Sequence, residues 1–362
     1  MAASADDALA GELAGLSLSS GGLVDAPGFW EKEAGAPLLR RNARFLTPDG
    51  IPAALRQRLS TWPALCGISS DAPVVADGVC EDEAALRIFL RDAERTFQDE
   101  GHRQAFMDML KRVWPENRDY HQGLGYVCSL LVRSSRFWPG PSLSASYPLC
   151  VFLHPSPQML LFDSTTTLSI LLKLTREPKY TPGYWRAAPE PFVRDAMVYG
   201  RLVQEREPEV AALLQQACVV PEAYASKWFV GLCVHVLPYE ALFDFVEHFL
   251  REGHLFLFKF SIALVQATKA KLLSFKPTEV NLILEVLRLD IAQYPDDFEG
   301  GAFFTEMVKA AAQVPLEQAH IDKLREEEAA VLEEKMRKTR EREAALAAES
   351  DDEIVFSDEE DD

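Results

Sequence analysis

The stretch Asp92-Ala93-Glu94-Arg95-Thr96-Phe97, entered through Leu86, Ile88, Phe89 and Leu90, decides how the rest of the chain is read. Apolar residues recur there at intervals of three and four, the repeat of a helix that buries one face. The same rhythm returns in Phe106, Met109, Leu110 and Val113, and over Val280–Ile291 in Val280, Ile283, Leu284, Val286 and Leu287. No alternating strand pattern bounded by Asn-Gly or Asp-Gly turns is found. Pro-Gly, Thr-Pro-Gly and Pro-Tyr-Glu breaks punctuate the helical runs. An all-α fold is therefore expected from Thr47 to Val314.

Inside the quoted stretch, Asp92 precedes Arg95 by one helical turn, close enough for its carboxylate to brace the guanidinium. Taken alone, such a pair is most often a surface salt bridge worth little. Three other segments give it company. Gly50-Ile51-Pro52-Ala53-Ala54-Leu55-Arg56 leads to Trp62; Tyr120-His121-Gln122-Gly123-Leu124-Gly125 follows the Arg95 helix. Farther on, Pro221-Glu222-Ala223-Tyr224-Ala225-Ser226-Lys227-Trp228-Phe229 precedes Leu237-Pro238 and Glu252-Gly253.

In this order the segments resemble the TBC-domain Rab GTPase-activating proteins, whose pattern is G-I-P-x-x-L-R, then I-x-x-D-x-x-R-T, then Y-x-Q-G. The fourth stretch is similar to that family's second lobe. The resemblance runs from Thr47 to Tyr294 and implies a two-lobed helical domain, placed here at 45–300. It implies Arg95 as an arginine finger and Gln122 as a glutamine finger, both offered in trans to a Rab-family GTPase. GTP and magnesium would belong to that partner, so this chain would need no cofactor of its own. It would act as an activator on the partner's active site and serve vesicle trafficking. Asp92, Thr96, Tyr120 and Gly123 would support the fingers, and Gly50, Pro52, Arg56, Trp62, Trp228 and Phe229 would be structural.

Chemistry agrees with those residue types. Phosphoryl transfer to water needs an aligned nucleophile and positive charge on the departing phosphate. Arginine stays charged and can bridge two oxygens, while a carboxamide both accepts from water and donates to phosphate. Thr96 would end the Asp92–Arg95 helix, and Gly123 would let backbone approach beside Gln122. Tyr120 reads as packing and hydrogen-bonding support; Trp228 and Phe229 read as core.

The chain also departs from the family pattern. Phe89 stands where isoleucine is preferred, and the interval from Arg56 to Trp62 is long, which makes Arg58 a second candidate for the motif arginine. The segment between Arg95 and Gln122 is short. A proline-rich stretch, 138–157, has no family counterpart and reads as an inserted loop.

Composition narrows the remaining classes. A net charge of −19 over 362 residues disfavours nucleic acid and unaided binding to anionic membranes. The six cysteines are scattered without C-x-x-C pairs, as in a reducing compartment, and His235, His248 and His254 lack metal-ligand spacing. No G-x-x-x-x-G-K-[ST] loop is present. A cytoplasmic protein is expected, without membrane insertion and reaching endomembranes through its partner; the oligomeric state stays open.

Residues 1–44, rich in Ala, Gly and Ser, read as a disordered lead-in. Residues 315–349 read as a charged helix with Glu333–Arg337 and Glu334–Lys338 pairs, and 350–362 as an acidic disordered tail. Ser350 and Ser357 precede acidic runs of the kind acid-directed kinases accept. The alternative to catalysis is a TBC-shaped scaffold that docks a GTPase without hydrolysis.

Overall fold

A computed structural model describes residues 57–69, 74–97, 100–131, 162, 164–295 and 302–352. Gly50, Pro52, Arg56, the 1–44 lead-in, the 138–157 insertion and Ser357 lie outside the described residues.

The helices, in chain order, are α1 (Trp62–Leu65), α2 (Glu83–Thr96), α3 (Glu100–Asn117), α4 (Gln122–Leu131) and α5 (Ser164–Arg176). There follow α6 (Glu190–Arg206), α7 (Pro208–Gln216), α8 (Glu222–Phe229), α9 (Tyr239–Glu252) and α10 (His254–Leu272). The last are α11 (Val280–Leu287), a 3-10 turn at Ile291–Gln293, α12 (Phe303–Ala312) and α13 (Gln318–Asp352). Among the described residues there is no β-strand, and no helix is long and apolar enough to cross a membrane.

Helix α2 starts where Asp82 caps it, its carboxylate accepting from the amides of Ala84 and Ala85. It ends at Thr96, whose hydroxyl donates back to the Asp92 carbonyl at 2.7 Å. Its buried face is Ala85, Phe89, Asp92 and Ala93. Ile88 and Leu90, grouped with that face by the sequence pattern, stand 46% and 44% exposed. Phe89 alone of the three is fully enclosed, since one position in three or four is all a narrow contact stripe takes. Helices α2 to α5 pack on one another and form the first lobe.

The second lobe, α6 to α12, is an aromatic interior. Tyr199 meets Tyr224 and Trp228 edge-on at 6.0 and 6.2 Å, and Phe229 packs on Phe258 at 5.1 Å. Trp228 and Phe229 are both completely buried, as their sequence spacing predicts. Helices α9 and α10 turn sharply at Gly253, which holds φ 68 and ψ −146. That backbone is open to glycine almost alone, and a Cβ there would collide with the Lys179 carbonyl oxygen. The same carbonyl accepts the His254 amide at 2.9 Å, so one oxygen fixes the start of α10. The Val280–Ile291 pattern is cut short: α11 stops at Leu287, because Leu289 turns left-handed at φ 58 before the 3-10 turn.

Trp62 links the lobes. It is fully buried against Phe243 of α9 at 5.7 Å, and its indole N–H donates to Glu247 at 3.3 Å. Arg58 donates to that same Glu247 at 2.9 Å and also meets Asp244. Of the two arginines left open by the sequence, Arg58 makes an interlobe ion pair.

The charged helix α13 spans 35 residues and runs on through Asp352, past the 350 boundary set for the tail. Its first turns pack on α6 through Ile321 and Leu324. Lys338 pairs with Glu334 at 3.2 Å as expected. Arg337 instead bonds Glu334 at 2.8 Å and also Glu341, leaving Glu333 aside. The i,i+3 and i,i+4 partners compete for one guanidinium, and two carboxylates flanking it win over one.

Candidate functional site

Arg95 lies in the last turn of α2 with its side chain 65% exposed. Its guanidinium is held at the root: Nε donates to the Arg91 carbonyl at 3.3 Å, and one amino group bonds Asp92. Asp92 is itself nearly enclosed, its side chain 6% exposed. Its second oxygen accepts the Tyr120 hydroxyl at 2.7 Å. A single buried carboxylate therefore joins the arginine of α2 to the segment that opens α4.

Tyr120 is wedged against Phe89, ring edge to ring face at 5.1 Å. Burial pushes its phenol far above the ordinary range and the Asp92 charge adds to this, so it stays a neutral donor. Removing that donor strands a desolvated carboxylate oxygen. Tyr120→Phe is expected to lower stability by about 1–2 kcal/mol, read as a lower urea midpoint at unchanged slope. An unshifted midpoint would mean that water replaces the hydroxyl.

Gln122 is the first residue of α4 and is exposed. Its neighbours are not. Gly123 presses so closely on Val230 that a Cβ would come within 2.8 Å of the Val230 carbonyl oxygen. That oxygen already accepts the Trp185 indole N–H at 3.0 Å. The glycine expected to allow close backbone approach thus seats the first turn of α4 on the second lobe. The Gly123 amide, unpaired within the helix, donates to Nδ1 of His121 at 3.0 Å, so a histidine serves as the cap. Burial keeps His121 below its ordinary pKa, with Asp119 opposing, which favours the neutral ring that capping needs.

Asp119 was not singled out by sequence. One of its oxygens accepts the Tyr120 amide at 2.8 Å and the other accepts the Ala187 amide at 2.7 Å. It thereby ties the turn before α6 to the segment before Gln122. Tyr126, one turn along α4 from Gln122, feels the charges of both Asp92 and Arg95. It stacks on His235 at 4.2 Å. Bonds to Asp92 join Arg95, Thr96 and Tyr120, while Gln122 and Gly123 follow Tyr120 along the chain by two and three residues. Trp62, Trp228 and Phe229 sit apart in the core.

The pattern is two exposed polar side chains, a cation and a carboxamide, each rooted in buried neighbours. Both side chains, among the described residues, reach solvent. Among the described residues, no group of three or more His, Cys, Asp or Glu could hold a metal.

Residues 56–273 match the family model of the Rab-GTPase-TBC domain. The chain is 26% identical over 257 residues to carabin of Mus musculus, covering 66% of this chain and 50% of carabin. It is 23% identical over 243 residues to growth hormone-regulated TBC protein 1 of Homo sapiens, covering 64% of this chain and 65% of that protein. It therefore spans half the length of the first of these relatives and just under two thirds of the second. The crystal structure of the Chlamydomonas flagellar RabGAP TBC domain superposes with a TM-score of 0.47 at 15% identity, over 74% of this chain and 88% of that one.

Proposed function

This chain belongs to the Rab-GTPase-TBC domain family, and from that premise we propose that it stimulates GTP hydrolysis by a Rab-family small GTPase. The observation that carries the reading is Asp92, whose two oxygens hold Arg95 and Tyr120 while Arg95 and Gln122 reach solvent. Arg95 enters the partner's active site and spreads its fork over the phosphate oxygens that gain charge as the bond breaks. The Gln122 carboxamide accepts from the attacking water and donates to the phosphate. Nucleotide and magnesium are carried by the partner. Asp92 and Tyr120 fix the geometry without touching the reacting atoms.

Exposure of the two side chains leaves both within reach of another molecule, as action in trans requires. The test is phosphate release from a panel of GTP-loaded Rab-family GTPases, with the full chain added in catalytic amount. At least one member is expected to hydrolyse GTP faster by several orders of magnitude. Tight binding to a GTP-loaded member with no acceleration across the panel would leave a docking scaffold instead.

A further inference from the structure

Helix α13 leaves the start of α6 across a groove of about 650 Å³. Pro191 of α6 supplies one apolar wall; Leu332 and Met336 of α13, both half-buried, supply the other. Past the groove α13 runs clear, with every residue from Arg337 to Leu346 exposed. Two of the charges lining the groove are neutralised from within the chain, Arg194 by Asp195 and Arg337 by Glu334 and Glu341. A third, Glu190, lies in the first turn of α6, where the helix dipole favours an acid. The remaining two, Glu333 and Arg340, have neither an ion-pair nor a hydrogen-bond partner among the described residues. Seven positions of one helix separate them, so they share a face yet stand roughly 10 Å apart along its axis, too far to bond each other. Met336 lies midway between them.

An acid, an apolar residue and a cation in that order along one face are complementary to the same three turned end for end. We infer that the occupant of this groove is a second copy of the chain, its α13 laid antiparallel on the first. In a two-fold contact, residue i of one copy meets j of the other while j meets i. An axis at Met336 sets Glu333 of each copy opposite Arg340 of the other, with both methionines at the centre and Leu332 beside them. A parallel pairing would set Glu333 on Glu333 and Arg340 on Arg340. The flanking sequence agrees with the antiparallel choice. Residues 326–334 hold five acids and no cation, while 335–342 hold five cations and one acid. Turning one helix end for end brings each block toward its opposite, which reverses locally the repulsion between two chains of net charge −19. The contact is one helix face with exposed ion pairs, so it is weak and screened by salt, with a Kd of about 10–100 µM. It does not depend on the GTPase reading.

The test is sedimentation equilibrium of the full chain at low and high salt, from well below to well above that Kd. Wild type is expected to shift from the mass of one chain to that of two at low salt, and less so at high salt. Glu333→Arg and Arg340→Glu each place like charges at both ends of the contact, and each should weaken association by about tenfold or more. An equimolar mixture of the two variants restores opposite charges at both ends and should recover the wild-type shift. That recovery separates a lost contact from a lost fold, since mixing cannot rescue a chain that has unfolded. Wild type remaining a single chain throughout would overturn the inference. Single variants that associate as well as wild type would overturn it too, and so would a mixture that fails to recover the shift.

Discussion

Arg95→Ala is expected to lower stimulated GTP hydrolysis by roughly 10³–10⁵-fold while leaving the fold and the binding of a GTP-loaded partner nearly intact. At about 1.4 kcal/mol per decade, that corresponds to roughly 4–7 kcal/mol of barrier. The magnitude follows from where the charge acts. A guanidinium in a water-excluded site stabilises phosphate charge far more than it would in solvent, and it is already oriented when the reaction begins. The fold should survive with a modest loss of stability, because Arg95 is 65% exposed and water can take its place at the Asp92 oxygen it leaves. Binding should persist because the interaction matters chiefly in the transition state. The measurement is single-turnover phosphate release at saturating activator, beside Kd for the analogue-loaded GTPase. Gln122→Ala should fall in the same direction, and the double variant should lose less than the product of the two, since the groups act on one transition state. A rate within tenfold of wild type for Arg95→Ala would remove this arginine from the chemistry.

Residues that act through local spacing were legible in the sequence. The Asp92–Arg95 pair is one turn of helix, and the burial of Phe89, Trp228 and Phe229 follows from periodicity. Residues that act across the fold were not. The Tyr120–Asp92 bond joins positions 28 apart, Asp119 to Ala187 spans 68, and Asp195 to Arg325 spans 130. Nothing in a one-dimensional pattern distinguishes such an acid from one that faces water. Ile88 and Leu90 show the converse error: apolar letters at plausible spacing count as core until the neighbouring helix proves too narrow to cover them. Asp119 left one faint trace, an acid placed just before a buried-looking tyrosine at a helix start, which a capping argument could have raised.

Asp195→Ala is the substitution expected to harm the fold most, by about 3–5 kcal/mol, because it breaks a buried ion cluster from one side. Asp195 is fully buried on α6. It accepts from Arg194 at 2.8 Å, from Arg325 of α13 at 2.9 Å, and from the Tyr184 hydroxyl. Without it Arg325, only 16% exposed, is left against the Phe258 ring and Nε2 of His254. The lost free energy should appear as a lower urea midpoint and as faster hydrogen exchange from Gln318 to Glu328, where α13 leans on α6. Replacing both partners, Asp195→Leu with Arg325→Met, should recover much of it, since neither charge then remains to be desolvated. The pH dependence has a definite sign. Burial pushes the Asp195 carboxyl up, but Arg325 and Arg194 outweigh it and hold it below its ordinary value. Its contribution is therefore present above about pH 4 and lost as pH falls through the lower folded-state value. His254 moves the other limb: burial and Arg325 hold its ring below the ordinary range. Below about pH 6.5 the unfolded chain takes a proton that the folded one refuses, so wild-type stability declines from there downward. The gap between wild type and Asp195→Ala should stay wide above about pH 5 and narrow below about pH 4. A gap independent of pH through that range would mean that Asp195 is not held as a charge.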